Sequence, residues 1–313
     1  MLLQEAGVIA VSSKIWGRLG PLYVGDDYPV RIVAVVNVSP ESFYKGSVVT
    51  DPRALKDYVV KAVEEGCDVV DIGGRSTAPY LKTDIPVEEE VRRVREAIKV
   101  VRDSVSVPIS VDTFRARVAE EALKLGAEIV NDVTGLKGDP EMIRVLKDYQ
   151  SSLVICAREV KPQPSLDPVA RVVSALRESI EMLLKVDYDL SKVVVDPCIG
   201  FFRYPEIPWY IWDLKVLANL GALRSLGRPI MVGVSRKSFI GVTTGREKPE
   251  ERLYGSLAYT AIALLSGAHV IRTHDVLATR DVVNAISAFK KYGIRLKLYH
   301  VEEHYGDKKP SSE

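Results

Sequence analysis

Arg31-Ile-Val-Ala-Val-Val-Asn37 is a mostly β-branched apolar run that closes on an amide. A short continuous run of this kind suits a parallel strand buried on both faces. The chain repeats the figure at Asp68–Asp71, Pro108–Asp112, Glu128–Asn131, Ser152–Ala157, Lys192–Asp196, Pro229–Ser235 and His269–Arg272. Helical patterns lie between the runs. Leu55, Tyr58, Val59, Ala62 and Val63 fall on one helix face, as do Val87, Val91, Val94, Ile98 and Val101, and then Val118, Ala122 and Leu125. Asp51-Pro52, Asp139-Pro140 and Asp167-Pro168 each set a capping carboxylate before a first-turn proline. Gly66 and Gly126 supply helix stops.

Eight strands alternating with helices over ~250 residues predict an α/β fold, a single (β/α)8 TIM barrel. A doubly wound open sheet is the alternative, but no GxGxxG turn follows the first strand. The barrel is expected over 31–292, with residues 1–30 as an N-terminal extension packed on it. Residues 293–313 form a C-terminal extension whose polar end, Gly306–Glu313, reads as a disordered tail.

Of the 313 residues, 47% are apolar and 27% charged, a core-forming composition that excludes wholesale disorder. Lys plus Arg number 43 against 42 for Asp plus Glu, so net charge gives no general attraction to nucleic acid or anionic membrane. No apolar run reaches the ~18 residues of a membrane span. The first twenty residues, with Glu5, Lys14 and Arg18, lack a signal-peptide core, so a cytoplasmic location is expected. Four Asn and three Gln are few for this length, a bias that suits a thermophile. Cys67, Cys156 and Cys198 lie far apart without CxxC spacing, so neither a disulfide framework nor a zinc site is expected. Cys67 and Cys156 read as small core residues and Cys198 as a packing substitution.

Active sites of such barrels lie at the C-terminal strand ends. Those ends carry Asn37, Asp71, Asp112, Asn131-Asp132, Arg158-Glu159, Asp196, Ser235-Arg236-Lys237 and Arg272-Thr273-His274. Each has a bland reading. Asp112 or Asp196 could cap the next helix, Asn131 could close a turn, Lys237 could be a solvated charge and His274 a satisfied core histidine. Together they combine anion binders (Lys237, Arg272, His274) with carboxylate and amide readers (Asp112, Asn131, Asp196). That mixture suits a ligand with an anionic end and a planar heterocyclic end, since a carboxylate can accept two parallel N–H bonds from a guanidine-like edge. No Ser-His-Asp order, HExxH or P-loop is present.

Asn37-Val-Ser-Pro-Glu-Ser-Phe43, Asp71-Ile-Gly-Gly-Arg-Ser-Thr77, Ser110-Val-Asp-Thr113, Asn131-Asp132, Asp196-Pro-Cys-Ile-Gly-Phe201, Ser235-Arg-Lys-Ser-Phe-Ile-Gly241 and Arg272-Thr-His-Asp275 occur in this order. The set resembles the dihydropteroate synthase family, from about residue 31 to 290. The resemblance implies a pterin-binding barrel that joins (7,8-dihydropterin-6-yl)methyl diphosphate to p-aminobenzoate and releases diphosphate, a transferase of folate biosynthesis. It implies that Asp112, Asn131, Asp196 and Lys237 hold the pterin ring, with Val133 and Phe201 lining its slot. Asn37, Arg272 and His274 would hold the diphosphate with Mg²⁺, Asn37 being the protein's metal ligand. Ser76, Thr77 and Ser238 would lie near the aminobenzoate, and Lys237, Arg272 and His274 would be the catalytic groups. A homodimer is also implied.

The sequence departs from the family pattern in its loops. Lys45 stands where an Asp is usual, Ala78-Pro79-Tyr80 where Arg-Pro-Gly is usual, and Arg158-Glu159 follows the fifth strand in place of a Met-His motif. Cys198 replaces a small Gly, and Phe202-Arg203 follows Phe201. A different acceptor is therefore open: an arylamine carrying a ribosyl phosphate, as in methanopterin-type routes, which Lys45, Arg75 and Arg158 would meet. The same motifs also suit a methyltransferase-type pterin domain or a non-catalytic pterin-binding protein.

Overall fold

The computed structural model describes residues 14–39, 51–76, 84–163, 167–201, 204 and 206–294. An antiparallel hairpin comes first, β1 (Trp16–Leu19) and β2 (Leu22–Gly25). The alternation then begins with β3 (Arg31–Asn37), α1 (Pro52–Glu64), β4 (Val69–Gly73), α2 (Val87–Ser104), β5 (Ile109–Asp112), α3 (Ala116–Lys124), β6 (Ile129–Asp132) and α4 (Met142–Tyr149). It continues with β7 (Ser152–Cys156), α5 (Pro168–Leu184), β8 (Val193–Asp196), α6 (Trp209–Ala218), β9 (Met231–Val232), α7 (Ser238–Thr244), α8 (Leu253–Leu265), β10 (Val270–Thr273) and α9 (Val276–Lys291).

Strands β3 to β10 form one parallel sheet in the order β8-β7-β6-β5-β4-β3-β10-β9. β10 returns beside β3, and a lone parallel bridge between Val195 and Ile230 closes β8 on β9. The sheet is thus a nearly closed eight-stranded barrel ringed by helices. A doubly wound open sheet is excluded. All eight strands fall on the expected runs, but β9 keeps only two residues of the expected Pro229–Ser235. Its chain leaves the sheet early because Lys237 N–H turns back to Val234 C=O at 3.2 Å, which carries Ser235 and Lys237 to the barrel mouth.

All three capping signals act locally. The Asp51 carboxylate accepts from the backbone N–H groups of Arg53 and Ala54, and Asp167 from those of Val169 and Ala170. Asp139 serves two helices: its Oδ1 accepts Glu141 N–H at 3.0 Å just before α4, and its Oδ2 accepts Ala116 N–H at 2.9 Å at the start of α3.

The interior is layered by the strand alternation. Val33, Val69, Ile129, Val154, Val194, Met231 and Val270 form a buried ring at the N-terminal end, closed by Leu19 and Val24 of the hairpin. Below it, His269 accepts Ile230 N–H at Nδ1 (3.0 Å), so its other nitrogen carries the proton facing Asp26 at 3.2 Å. Side chains two positions apart share a face. One step up from each ring member therefore stand Val35, Asp71, Asn131, Cys156, Asp196, Gly233 and Arg272. The same period that builds the plug builds the floor of the site.

Candidate active site

Arg272 is the centre of that upper layer. Its Nε donates to Asp71 Oδ2 at 2.7 Å and its Nη2 to Asp112 Oδ2 at 2.8 Å. Asn131 Nδ2 donates to the same Asp71 oxygen at 3.1 Å. Asp71 is fully buried. It fixes both the guanidinium and the amide, leaving the Asn131 carbonyl oxygen as an acceptor. Asp112 Oδ1 has no partner among the described residues. A buried carboxylate oxygen in that state is costly unless a ligand supplies a donor.

One cavity collects Asn37, Ser76, Asp112, Asn131, Val133, Asp196, Phe201, Lys237, Ser238, Arg272 and His274. Of the residues expected at the site, only Thr77 is missing from this set, and it lies outside the described residues, as do Lys45 and Ala78-Pro79-Tyr80. The bland readings give way to specific contacts. The start of α3 is served by Asp139 and by the Thr113 hydroxyl, not by Asp112. Lys237 Nζ sits 4.4 Å from the Phe201 ring centroid, a cation–π contact that holds the amine over the slot. Gly200 makes this possible: a Cβ there would stand 3.1 Å from Lys237 Cδ, and its φ of +87° is one that glycine adopts freely.

The electrostatics divide the cavity. Burial pushes the Asp112 carboxyl above the usual range; Arg272 pulls it back in part, while Asp71 and Glu90 push it further up. Burial also raises Asp196 to about 6, against the pull of the Cys198 N–H, Lys237 and Arg272. Burial, then Arg272, Arg236 and Lys237, hold His274 well below its ordinary value, so the imidazole is neutral at pH 7. Its Nδ1 lies 3.0 Å from the Ser235 hydroxyl, which fixes the ring. Arg236, at φ +58°, turns away from the cavity. It grips Asp275 through two bonds of 2.6 and 2.8 Å and also donates to the carbonyls of Pro249 and Glu250.

Three expectations need correction. Cys156 and Cys198 are not separate small residues: they form a disulfide, with Cα atoms 5.1 Å apart. Spacing in sequence hides it, because a separation of 42 residues becomes adjacency only when β7 and β8 pair, with Cys156 opposite Asp196. Arg158 is exposed and does not line the cavity. Glu159 forms a buried pair with Arg171, two bonds of 2.7 and 2.9 Å, and Arg171 stacks on Tyr204 and Trp212. That pair is structural. Arg75 does line the cavity, with its guanidinium 4.5 Å over the Phe114 ring and 3.7 Å from Glu90.

Sequence alone assigns no role to two residues of the site. Asp71 is visible as a strand-end carboxylate, but nothing in sequence says that it holds Arg272. Ser235 is visible in the same way, but its contact with His274 depends on β9 and β10 being neighbours.

Fold and site together define a barrel enzyme with a cavity at its C-terminal strand ends, lined by Asp112, Asn131 and Asp196 on one hand and by Lys237, Arg272 and His274 on the other. The pterin binding enzyme family model matches residues 33–274. A dihydropteroate synthase from Synechocystis is 32% identical over 279 residues, 86% of this chain and 94% of that one. The Bacillus subtilis dihydropteroate synthase is 32% identical over 263 residues, 84% of this chain and 89% of that one. The solved Xanthomonas albilineans dihydropteroate synthase with 4-aminobenzoic acid aligns at a TM-score of 0.78 and 34% identity, covering 89% of this chain and 99% of that one. The chain belongs to the dihydropteroate synthase family.

Proposed function

We propose that this enzyme condenses (7,8-dihydropterin-6-yl)methyl diphosphate with p-aminobenzoate. The arylamine nitrogen forms a bond to the methylene carbon, the methylene–oxygen bond breaks, and diphosphate leaves while the amine loses one proton. The carrying observation is Asp112 Oδ1, without a partner among the described residues, beside Asn131, Asp196 and Lys237, all in one cavity with Arg272. A guanidine-like ring edge supplies a donor to that oxygen and a parallel one to a neighbouring acceptor. Positive charge developing on the methylene spreads into a ring held by carboxylates, and Arg272 with neutral His274 receives the charge building on the leaving group. The amine attacks as a neutral nucleophile and needs orientation more than deprotonation. No protein nucleophile takes part.

Mg²⁺ belongs to the proposal. Among the described residues no three His, Cys, Asp or Glu side chains gather as a metal cage. The donor set that fits is the Asn37 amide at the cavity edge, because Mg²⁺ keeps most of its waters and shares substrate phosphate oxygens. Asn37 would hold the ion, which when bound supplies positive charge to the diphosphate.

The acceptor carries an anion, and Arg75 offers it a cation within the same cavity. Arg75 also favours a second reading, a phosphate-bearing arylamine. Diphosphate release measured with no acceptor, with p-aminobenzoate and with a ribosylated arylamine phosphate tests both. Release driven by p-aminobenzoate supports the reading, and release driven only by the ribosylated amine replaces it with the second.

The enzyme works in the cytoplasm as a homodimer. No helix among the described residues is long and apolar enough to cross a membrane. Helix α8 turns small or polar Ser256, Thr260 and Ala263 toward the barrel and leaves Tyr254, Ile262 and Leu265 exposed. That inverted face needs a cover, and a second copy gives a sedimenting mass of twice 34.7 kDa.

A further inference from the structure

The Cys156–Cys198 disulfide sits in the wall of the active-site cavity, and both residues line it. Cys156 ends β7, and Cys198 lies in the turn that leaves β8. That turn carries the ring-side groups: Asp196 accepts the Cys198 N–H at 2.7 Å, and Phe201, under Lys237, follows three residues later. Cys198 itself holds a φ of +64°, unusual for a residue with a side chain. The covalent bond therefore ties a strained turn, with its carboxylate and aromatic ring, to the neighbouring strand. Each cysteine is at most 4% exposed, so the cavity is the route by which a reagent meets the sulfurs. The third cysteine, Cys67, is free and buried in the helix–sheet layer, and burial pushes its thiol up to about 12.

We infer that Cys156–Cys198 is a redox-responsive clasp of the ring slot: the disulfide form preorganises the 196–201 turn for the heterocycle, and the dithiol form binds it more weakly. The inference rests on the pterin reading of the cavity. In the reductive direction a small dithiol attacks one sulfur, the cysteine S–S bond breaks, and a second attack within the mixed disulfide releases both cysteines as thiols. Two electrons and two protons pass to the protein, and the reagent leaves as a disulfide. Oxidation by a low-molecular-weight disulfide runs the same steps backward, releasing two small thiols. A ring in the slot blocks the approach, so the ligand shields the bond.

The test uses the full chain. Thiols are counted after denaturation, and binding of (7,8-dihydropterin-6-yl)methyl diphosphate without an acceptor is measured by calorimetry on the oxidised and the dithiol-treated protein. The expected result is one thiol per chain when oxidised and three when reduced, with affinity about tenfold weaker in the reduced form, the cost of lost preorganisation. With ligand at roughly a hundred times its Kd, reduction slows by about a hundredfold. The double variant Cys156→Ala/Cys198→Ala binds like the reduced protein and ignores dithiol, whereas Cys67→Ser keeps the full redox difference. Three thiols persisting after disulfide treatment, or affinities within twofold in the two forms, overturn the clasp and leave the pterin reading standing. No binding in either form overturns the pterin reading as well.

Discussion

Asp71→Asn isolates the residue on which the active-site layer depends. The carboxylate is fully buried, and its Oδ2 takes bonds from Arg272 at 2.7 Å and Asn131 at 3.1 Å. Breaking a buried ion pair outright costs about 3–5 kcal/mol. Arg272 keeps Asp112 at 2.8 Å, so that full cost does not apply. What is lost is one charge-assisted bond, ~1.5–3 kcal/mol. Taking ~2 kcal/mol, and ~1.4 kcal/mol per factor of ten in rate, kcat/KM for the pterin diphosphate falls about 30-fold if Arg272 drifts from the leaving group. The loss divides between a lower kcat and a higher KM for the pterin diphosphate, while KM for p-aminobenzoate stays put. The melting temperature drops by about 4 °C at ~2 °C per kcal/mol. Diphosphate-release kinetics with each substrate varied in turn, together with calorimetric melting, check both numbers. A variant with kcat/KM within twofold of the parent would refute the claim that Asp71 positions Arg272.

Asp196, raised to about 6, gives two opposite pH trends. Ring affinity falls as pH drops through about 6, because the acceptor is lost. The folded carboxyl lies above its ordinary 3.8, so the native state holds the extra proton in that interval, and the ligand-free fold gains stability as pH falls from about 6 toward 4. Melting scans with and without ligand see both trends, and Asp196→Asn removes its own share of each, leaving the share of Asp112, whose carboxyl burial also raises. Asn37→Ala raises the Mg²⁺ concentration needed for half-maximal rate and leaves the affinity for a diphosphate-free pterin unchanged; a matched change in both would remove Asn37 from the metal role. His269→Ala strips the Ile230 N–H of its acceptor at the far end of the barrel and costs ~1–3 kcal/mol in denaturant unfolding without altering kcat/KM.

The barrel is legible in the sequence because its signal is local. Continuous apolar runs such as Arg31–Asn37 and helix faces such as Val87 to Val101 need no knowledge of partners to be read. Asn131, Asp196 and Arg272 are legible for a related reason: each is a strand-end polar group two positions above an apolar ring residue and so lines the same cavity. What stays hidden depends on pairing. The use of Asp71 by Arg272 spans 201 residues, the disulfide spans 42, and the Ser235–His274 contact spans 39. Asp139 shows the same limit: the Asp-Pro signal foretells its local bond to Glu141 N–H, but not the bond of its other oxygen to Ala116 N–H of a neighbouring helix.

The two ends of the proposed substrate meet in one guanidinium. Arg272 uses Nε for Asp71 and Nη2 for Asp112 and still has donors on Nη1 and Nη2 to offer an anion. Asp112 divides itself in the same way, with Oδ2 on Arg272 and Oδ1 open to the ring. On the proposed reading, ring and diphosphate would be read by the two halves of a single salt bridge, whose geometry is set before either arrives. Neutralising Asp112, or moving Arg272, changes both readings at once, so effects of paired substitutions at these two positions will fall well short of additive. A double-mutant cycle on Asp112→Asn and Arg272→Lys, read as affinity for the pterin diphosphate, should give a coupling of ~1–3 kcal/mol. Strict additivity would mean that the two groups bind their ends independently, and the shared bridge would then be a feature of the empty cavity with no part in recognition.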